Sequence, residues 1–234
     1  MILNQVAQGG GVGGGSLDDY LSGEDIEIIS NITVLKIKAI TADNVTAIVL
    51  PECIELKAGA ISDANYENST GGMTKLARLE LPKVKKISTS SLCAIYGTID
   101  AIVLPSLETM GWKSENGRAF RLNRIKYYDF GNPSISSLDW GKGRHWYQCS
   151  DYPEAIIFRY SGVVTITSDS VFRKTNSEDL KLGDTCFVYV PNALITSYQN
   201  ANYWSDIYAR HPDMFKPIEG SIYETHYADG TPIS

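Results

Sequence analysis

The chain has 234 residues, 43% of them hydrophobic and 21% charged, which suits one domain or one elongated repeat array and excludes a wholly disordered chain. Its 21 Lys and Arg against 27 Asp and Glu give a net charge of −6, a balance with no broad field to attract phosphate backbones or anionic lipid. Nucleic acid and membrane surfaces are therefore not expected partners, and no apolar run approaches the roughly eighteen residues needed to span a bilayer.

Residues 1–8 contain no Lys or Arg and run straight into glycines, so a secretory signal is not expected. Gly9, Gly11 and Gly14 formally satisfy G-x-G-x-x-G. A dinucleotide site needs a strand before that turn to aim it and a helix after it to receive the pyrophosphate, and only eight residues come before it, so the match is read as empty. Residues 1–16 are read instead as an anchor and glycine tether, followed by an amino-terminal cap at 17–44. Within that cap, residues 24–38 look like one or two strands sealing the front of the main body.

Three segments share one pattern, apolar at positions 1, 4 and 6 and then proline: 45–51 (VTAIVLP), 76–82 (LARLELP) and 99–105 (IDAIVLP). Weaker copies stand at 125–131, 155–161 and 185–191. Alternation at positions 4 and 6 is the two-residue period of a strand with one buried face, and proline ends it because it has no N–H to donate. Stacked copies would align Ile48, Leu79, Ile102, Tyr128, Phe158 and Val188 in one apolar column, with Leu50, Leu81, Leu104, Phe130, Tyr160 and Val190 beside it. The expected architecture is a repeat solenoid, leucine-rich-repeat-like and mainly β with short irregular returns, spanning about six repeats over 45–191. Cys53 fills a slot held elsewhere by Val84, Leu107 and Val163, and all four cysteines, Cys53, Cys93, Cys149 and Cys186, lack CxxC spacing. Buried free thiols are expected rather than a zinc or redox site.

The L-x-x-L-x-L-P pattern resembles the bacterial leucine-rich repeats of the surface-antigen (BspA-like, type 5) family. The stretch Val190-Pro191-Asn192-Ala193-Leu194 with Tyr198 and Trp204 is similar to that family's closing helix. The resemblance implies a carboxy-terminal capping helix over 192–216 and diverse binding roles, and it lends no catalytic residues. From the residues alone the stretch also reads as a helix, with Asn192 as its cap and Leu194, Tyr198 and Ala201 at helical spacing. Residues 217–234 read as a hairpin or extended tail, either added as a strand to a neighbour or lying free.

Positions 3 and 5 of each strand would form an outward ladder including Arg78, Glu80, Tyr127, Asp129, Arg159, Phe187 and Tyr189. Aromatics and Arg suit a binding hot spot, and they equally satisfy strand propensity on a solvated sheet. A second candidate is the aromatic insert 138–152 with Trp140, Trp146 and Tyr147, whose rings suit sugar stacking or a protein contact and also suit packing over an apolar edge. No metal-ligand spacing links His145, His211 and His226, and a Cys149–His145 dyad lacks an orienting group. Three formal sequons, at Asn31, Asn44 and Asn68, are read as incidental. Neither enzyme activity, cofactor nor metal is expected. The leading expectation is a phage or prophage virion component, a tail or head appendage contacting a protein or cell-surface glycan and joined to neighbouring virion proteins through residues 1–16. The alternative is a bacterial interaction module or adhesin-like protein, cytoplasmic or noncanonically exported to the cell surface.

Overall fold

The computed structural model describes residues 2–3, 26–36, 44–61, 74–88, 91–93, 95–110, 120, 124–140, 153–172 and 180–233. Among the described residues fifteen short strands run in chain order: β1 Ile2–Leu3, β2 Ile26–Ile29, β3 Val34–Leu35, β4 Val45–Val49, β5 Glu55–Leu56, β6 Arg78–Glu80, β7 Lys86–Ile87 and β8 Ala101–Leu104. They continue with β9 Thr109–Met110, β10 Tyr127–Phe130, β11 Asp139–Trp140, β12 Ala155–Phe158, β13 Thr165–Ile166, β14 Phe187–Val190 and β15 Phe215–Pro217. Two short helices, α1 Ile195–Asn200 and α2 Trp204–Arg210, lie between β14 and β15.

From β2 to β13 the chain alternates between a strand at the front and a two-residue strand behind it. The front strands form a four-stranded sheet in the order β1-β2-β4-β6 and a five-stranded sheet in the order β15-β14-β12-β10-β8. The strands behind form one six-stranded sheet in the order β13-β11-β9-β7-β5-β3, and every pairing within the three sheets is parallel. Parallel strands must be joined by crossovers. Here the crossover starts at the residue after the front strand, as where Cys53 donates its backbone N–H to Leu50 O at 3.2 Å past Pro51.

This arrangement overturns the expected repeat solenoid with irregular returns and one capping helix. The chain is a parallel, α/β-like fold of three parallel sheets with few helices. The front column is divided, since β6 closes one sheet and β8 opens another. The returns are not irregular: Leu56, Ile87, Met110, Trp140 and Ile166 stand in register on successive strands and are buried. The anticipated helix over 192–216 is a 3₁₀ turn at Asn192–Leu194, two short helices and β15. Asn192 makes no cap; Pro191 occupies that position without a side-chain hydrogen bond. Tyr203 has φ of 61°, a left-handed conformation costly for a bulky side chain, and the helical run breaks there.

The core lies between the front sheets and the six-stranded sheet. All members of the two expected apolar columns are buried except Leu79, which is half-buried and packs against them. Burying such side chains contributes roughly 1.5–3 kcal/mol each. The fifth copy sits two residues away from its expected register. Tyr128 pairs with Ile156 and Phe130 with Phe158, so Asp129 and Tyr189 flank Ile157 rather than Arg159. A slip of two residues keeps the same side chains facing inward, which is why the pattern could not distinguish the registers. Gly131, standing where earlier copies have proline, adopts φ of 78°, and a Cβ there would lie 2.3 Å from the Tyr160 ring.

The end of the array is closed by aromatics. Trp204 is 1% exposed, donates its indole N–H to Val164 O at 2.8 Å and meets Phe158, Phe172, Tyr198 and Phe215. Tyr198 Oη accepts the backbone N–H of Val164 at 3.1 Å. Together these groups satisfy both backbone polar atoms of a buried residue, as an apolar interior requires.

Candidate functional site

The tail after β15 does not lie free. It turns at Gly220, whose φ is 79°, passes through a 3₁₀ turn at Ile222–Glu224 whose amino terminus is capped by Ser221 Oγ accepting the Tyr223 N–H, and forms an antiparallel bridge between His226 and Pro232. This segment, 218–233, is a strap laid over the outward face of the five-stranded sheet. Ile218 packs there with Ala155 and Ile157, and Tyr127, Tyr189, Tyr223 and Ala228 complete a second small apolar cluster.

The strap is fastened by one buried ion pair. Arg159 donates from Nε to Asp129 Oδ1 and from Nη2 to Asp129 Oδ2, both at 2.7 Å, so the contact is bidentate. The same guanidinium donates to Tyr223 O at 2.6 Å and to His226 O at 2.9 Å, and Ala228 donates its backbone N–H to Asp129 Oδ2 at 2.9 Å. Asp129 is 1% exposed and Arg159 5%. Burial pushes the Asp129 carboxyl above its ordinary range, opposed by the hydrogen bond and charge of Arg159. The planar guanidinium suits this role, because its Nε–Nη2 edge binds the carboxylate while Nη1 and the second N–H of Nη2 reach strap carbonyls.

The predicted ladder residues therefore have different surroundings. Asp129 and Arg159 are sealed under the strap, and Tyr189 meets Tyr223 edge-on at 4.7 Å. Tyr127 is half-buried and donates its hydroxyl to Glu154 Oε2 at 2.7 Å, which with burial pushes its pKa up to about 12. Phe187 lies under the Lys216 ammonium at 4.9 Å. Arg78 and Glu80 stand apart on β6, paired with each other at 2.7 Å and open to solvent. Trp140, named as a contact candidate and read also as suited to packing over an apolar edge, takes the packing role: it is fully buried and meets Phe158 and Phe172 edge-on. Trp146 and Tyr147, like the Cys149 and His145 pair and residues 4–16, lie outside the described residues. Ile2–Leu3 of the expected anchor pair with Glu27 and Ile28 of the chain's own β2.

Beside the strap lies a cleft of about 810 Å³, bounded by Asn132–Ser134, Ser161 and Pro191 on the body and by Glu219, Glu224, Tyr227 and Ile233 on the strap, with Arg159 and Tyr160 at its floor. Asn132 is committed to structure: its amide N donates to Pro105 O at 2.7 Å and its Oδ1 accepts from Ser134. Tyr160 likewise spends its hydroxyl on Leu107 O at 2.8 Å. The strap residues of this cleft were missed because the tail was read as a hairpin or extension that either joins a neighbour or lies free, not as a cover for the chain's own sheet. The spacing of Ile218, Tyr223 and Tyr227 around the turn residues Gly220 and Ser221 is the signal of a segment with an apolar side to bury.

Among the described residues no group of three or more His, Cys, Asp or Glu is placed to hold a metal, and no helix is long and apolar enough to cross a membrane. Cys53, Cys93 and Cys186 are buried free thiols, and burial pushes the Cys53 and Cys186 thiols up, away from the reactive thiolate. Comparison with protein-family models, curated proteins and solved structures finds no match.

Proposed function

We propose that the chain is a non-enzymatic structural and recognition protein of a phage or prophage virion, a tail or head appendage that contacts a protein or glycan of the host surface. The supporting observation is the strap. It closes a sheet face that carries Tyr127, Tyr189 and Arg159, and the cleft at its border is built jointly by strap and body. A preorganised surface of this kind binds without first ordering loops, which is what recognition at a particle surface demands. The acidic balance of the chain and the open Arg78 and Glu80 pair on β6 are compatible with a contact made by shape and hydrogen bonds rather than by a charged field.

The test is peptide mass spectrometry on density-banded particles and on washed cell fractions of the source culture. Peptides of this chain at fixed stoichiometry to a capsid protein are the expected result. Their absence from particles with presence in cells would overturn the virion assignment and leave a cellular interaction module.

A further inference from the structure

We infer that the cleft between the strap and the Asn132–Ser134 turn is a binding site for neutral oligosaccharide, an inference that rests on the recognition role proposed above and gives it a place and a ligand class. The volume of about 810 Å³ falls within the range of roughly 300–1,000 Å³ typical of small-molecule sites. Its chemistry narrows the ligand further. Glu219 Oε2 accepts the Asn192 backbone N–H at 2.8 Å, and Glu224 Oε2 accepts the Gly220 backbone N–H at 2.9 Å. Each carboxylate is thus fixed through one oxygen, and neither Oε1 has a partner among the described residues.

A carboxylate held in this way presents an acceptor whose side-chain freedom is already reduced, and a hydroxyl donating to it makes a charge-assisted hydrogen bond. The half-buried Tyr227, placed against the Arg159 guanidinium at 5.1 Å, adds an aromatic surface to the lining. Carboxylate acceptors beside an aromatic ring match the alternating hydroxyl and C–H surfaces of a sugar. The exposed hydroxyl residues Ser134 and Ser161 extend the polar rim.

Charge separates neutral sugars from acidic ones. Arg159 lines the cleft, yet its guanidinium is engaged by Asp129 and two strap carbonyls. Of the lining residues, the two glutamates then carry the uncompensated charge, and phosphate, sulfate or sialic acid would meet repulsion rather than a counter-ion.

The experiment is saturation-transfer NMR on the full chain with maltotriose, N,N′,N″-triacetylchitotriose and mannotriose, and with 3′-sialyllactose and inorganic phosphate as anionic probes. Binding of at least one neutral trisaccharide is expected, with no binding of the anions. Ser161→Trp, which places a large side chain into the cleft from an exposed position, should weaken that binding at least tenfold. Glu219→Gln, which keeps an oxygen for the Asn192 N–H, should weaken it several-fold. Lys57→Ala, beside β5 on the opposite sheet and paired with Glu55, should leave it unchanged. Both cleft variants are checked by thermal unfolding, so that loss of binding is read only from folded protein. No transfer to any neutral trisaccharide, preferential binding of an anionic probe, or full affinity in folded Ser161→Trp would each overturn the inference. These outcomes are separate from the particle test: a chain found at fixed stoichiometry in particles but silent to all three sugars keeps its virion role and loses this site.

Discussion

The strongest perturbation of the strap is Arg159→Met. In the native protein the guanidinium makes four hydrogen bonds, two to Asp129 and two to strap carbonyls. Removing it leaves the Asp129 carboxylate 1% exposed with a single remaining donor, the Ala228 N–H. Breaking a buried pair from one side costs about 3–5 kcal/mol, because the survivor is an uncompensated charge. Replacing both partners, as in Asp129→Leu with Arg159→Met, removes that charge and should recover at least about 1 kcal/mol of the loss. The pH dependence has a definite sign. Burial already holds the Asp129 carboxyl above its unfolded value, and Arg159 is the chief opposing influence. A carboxyl raised on folding favours the folded state when protonated, and this advantage is lost as pH rises from the unfolded pKa through the folded one. Without Arg159 the carboxyl climbs further, so the deficit of the single variant should be largest at pH 7.5 and smaller at pH 5.0. Urea unfolding at both pH values, with limited proteolysis of residues 218–233 as a second readout, checks each part. A single-variant loss under about 1 kcal/mol, or a double variant as damaged as the sum of its parts, would refute the reasoning.

Three further outcomes are expected. Gly131→Ala should destabilise by more than about 1 kcal/mol in thermal or urea unfolding, since its positive φ disfavours a side chain and a Cβ would lie 2.3 Å from the Tyr160 ring. Trp204→Ala should cost about 3–5 kcal/mol from the lost packing and cavity, whereas Tyr198→Phe, which orphans only the buried Val164 N–H, should cost about 1–3 kcal/mol. Ultraviolet titration should show Tyr127 ionising near its raised value of about 12, and Glu154→Gln should bring it down toward the ordinary range. Because the folded pKa exceeds the unfolded one, the contribution of Tyr127 to stability is complete below pH ~10 and lost as pH rises toward the folded value.

The apolar positions of the front strands were legible in the sequence because a period of two has few alternative readings. Ile48, Ile102 and Val188 are all buried, on the front strands β4, β8 and β14, as the pattern required. The six-stranded sheet was not legible, because each of its strands is two residues long and carries one buried side chain. The place of Trp140 in the six-stranded sheet was hidden for a related reason. In other copies the buried residue of the return lies five positions after the proline or its substitute, as with Leu56, Ile87, Met110 and Ile166, whereas Trp140 lies nine after Gly131. Four additional residues set this core tryptophan outside the repeat pattern. The ladder pointed to a set of residues that do come together, Tyr127, Asp129, Arg159 and Tyr189. Their cover was hidden because Asp129 and Ala228 are 99 residues apart, and no local pattern joins a strand to a segment so distant.

That separation also dictates an order of events during synthesis. The parallel sheets can be extended one strand at a time as the chain emerges, each new strand finding its partner already in place. The Asp129–Arg159 pair can form as soon as residue 159 is available, but it first stands in water, where such a pair adds little. Its dehydration waits for residues 223–228 to be made and to fold back across the sheet. A chain ending at residue 217 would leave Ala155 and Ile157 without the cover of Ile218, Tyr223 and Ala228. The surface that marks an unfinished molecule is therefore the same one that the strap removes from view when translation of this segment is complete.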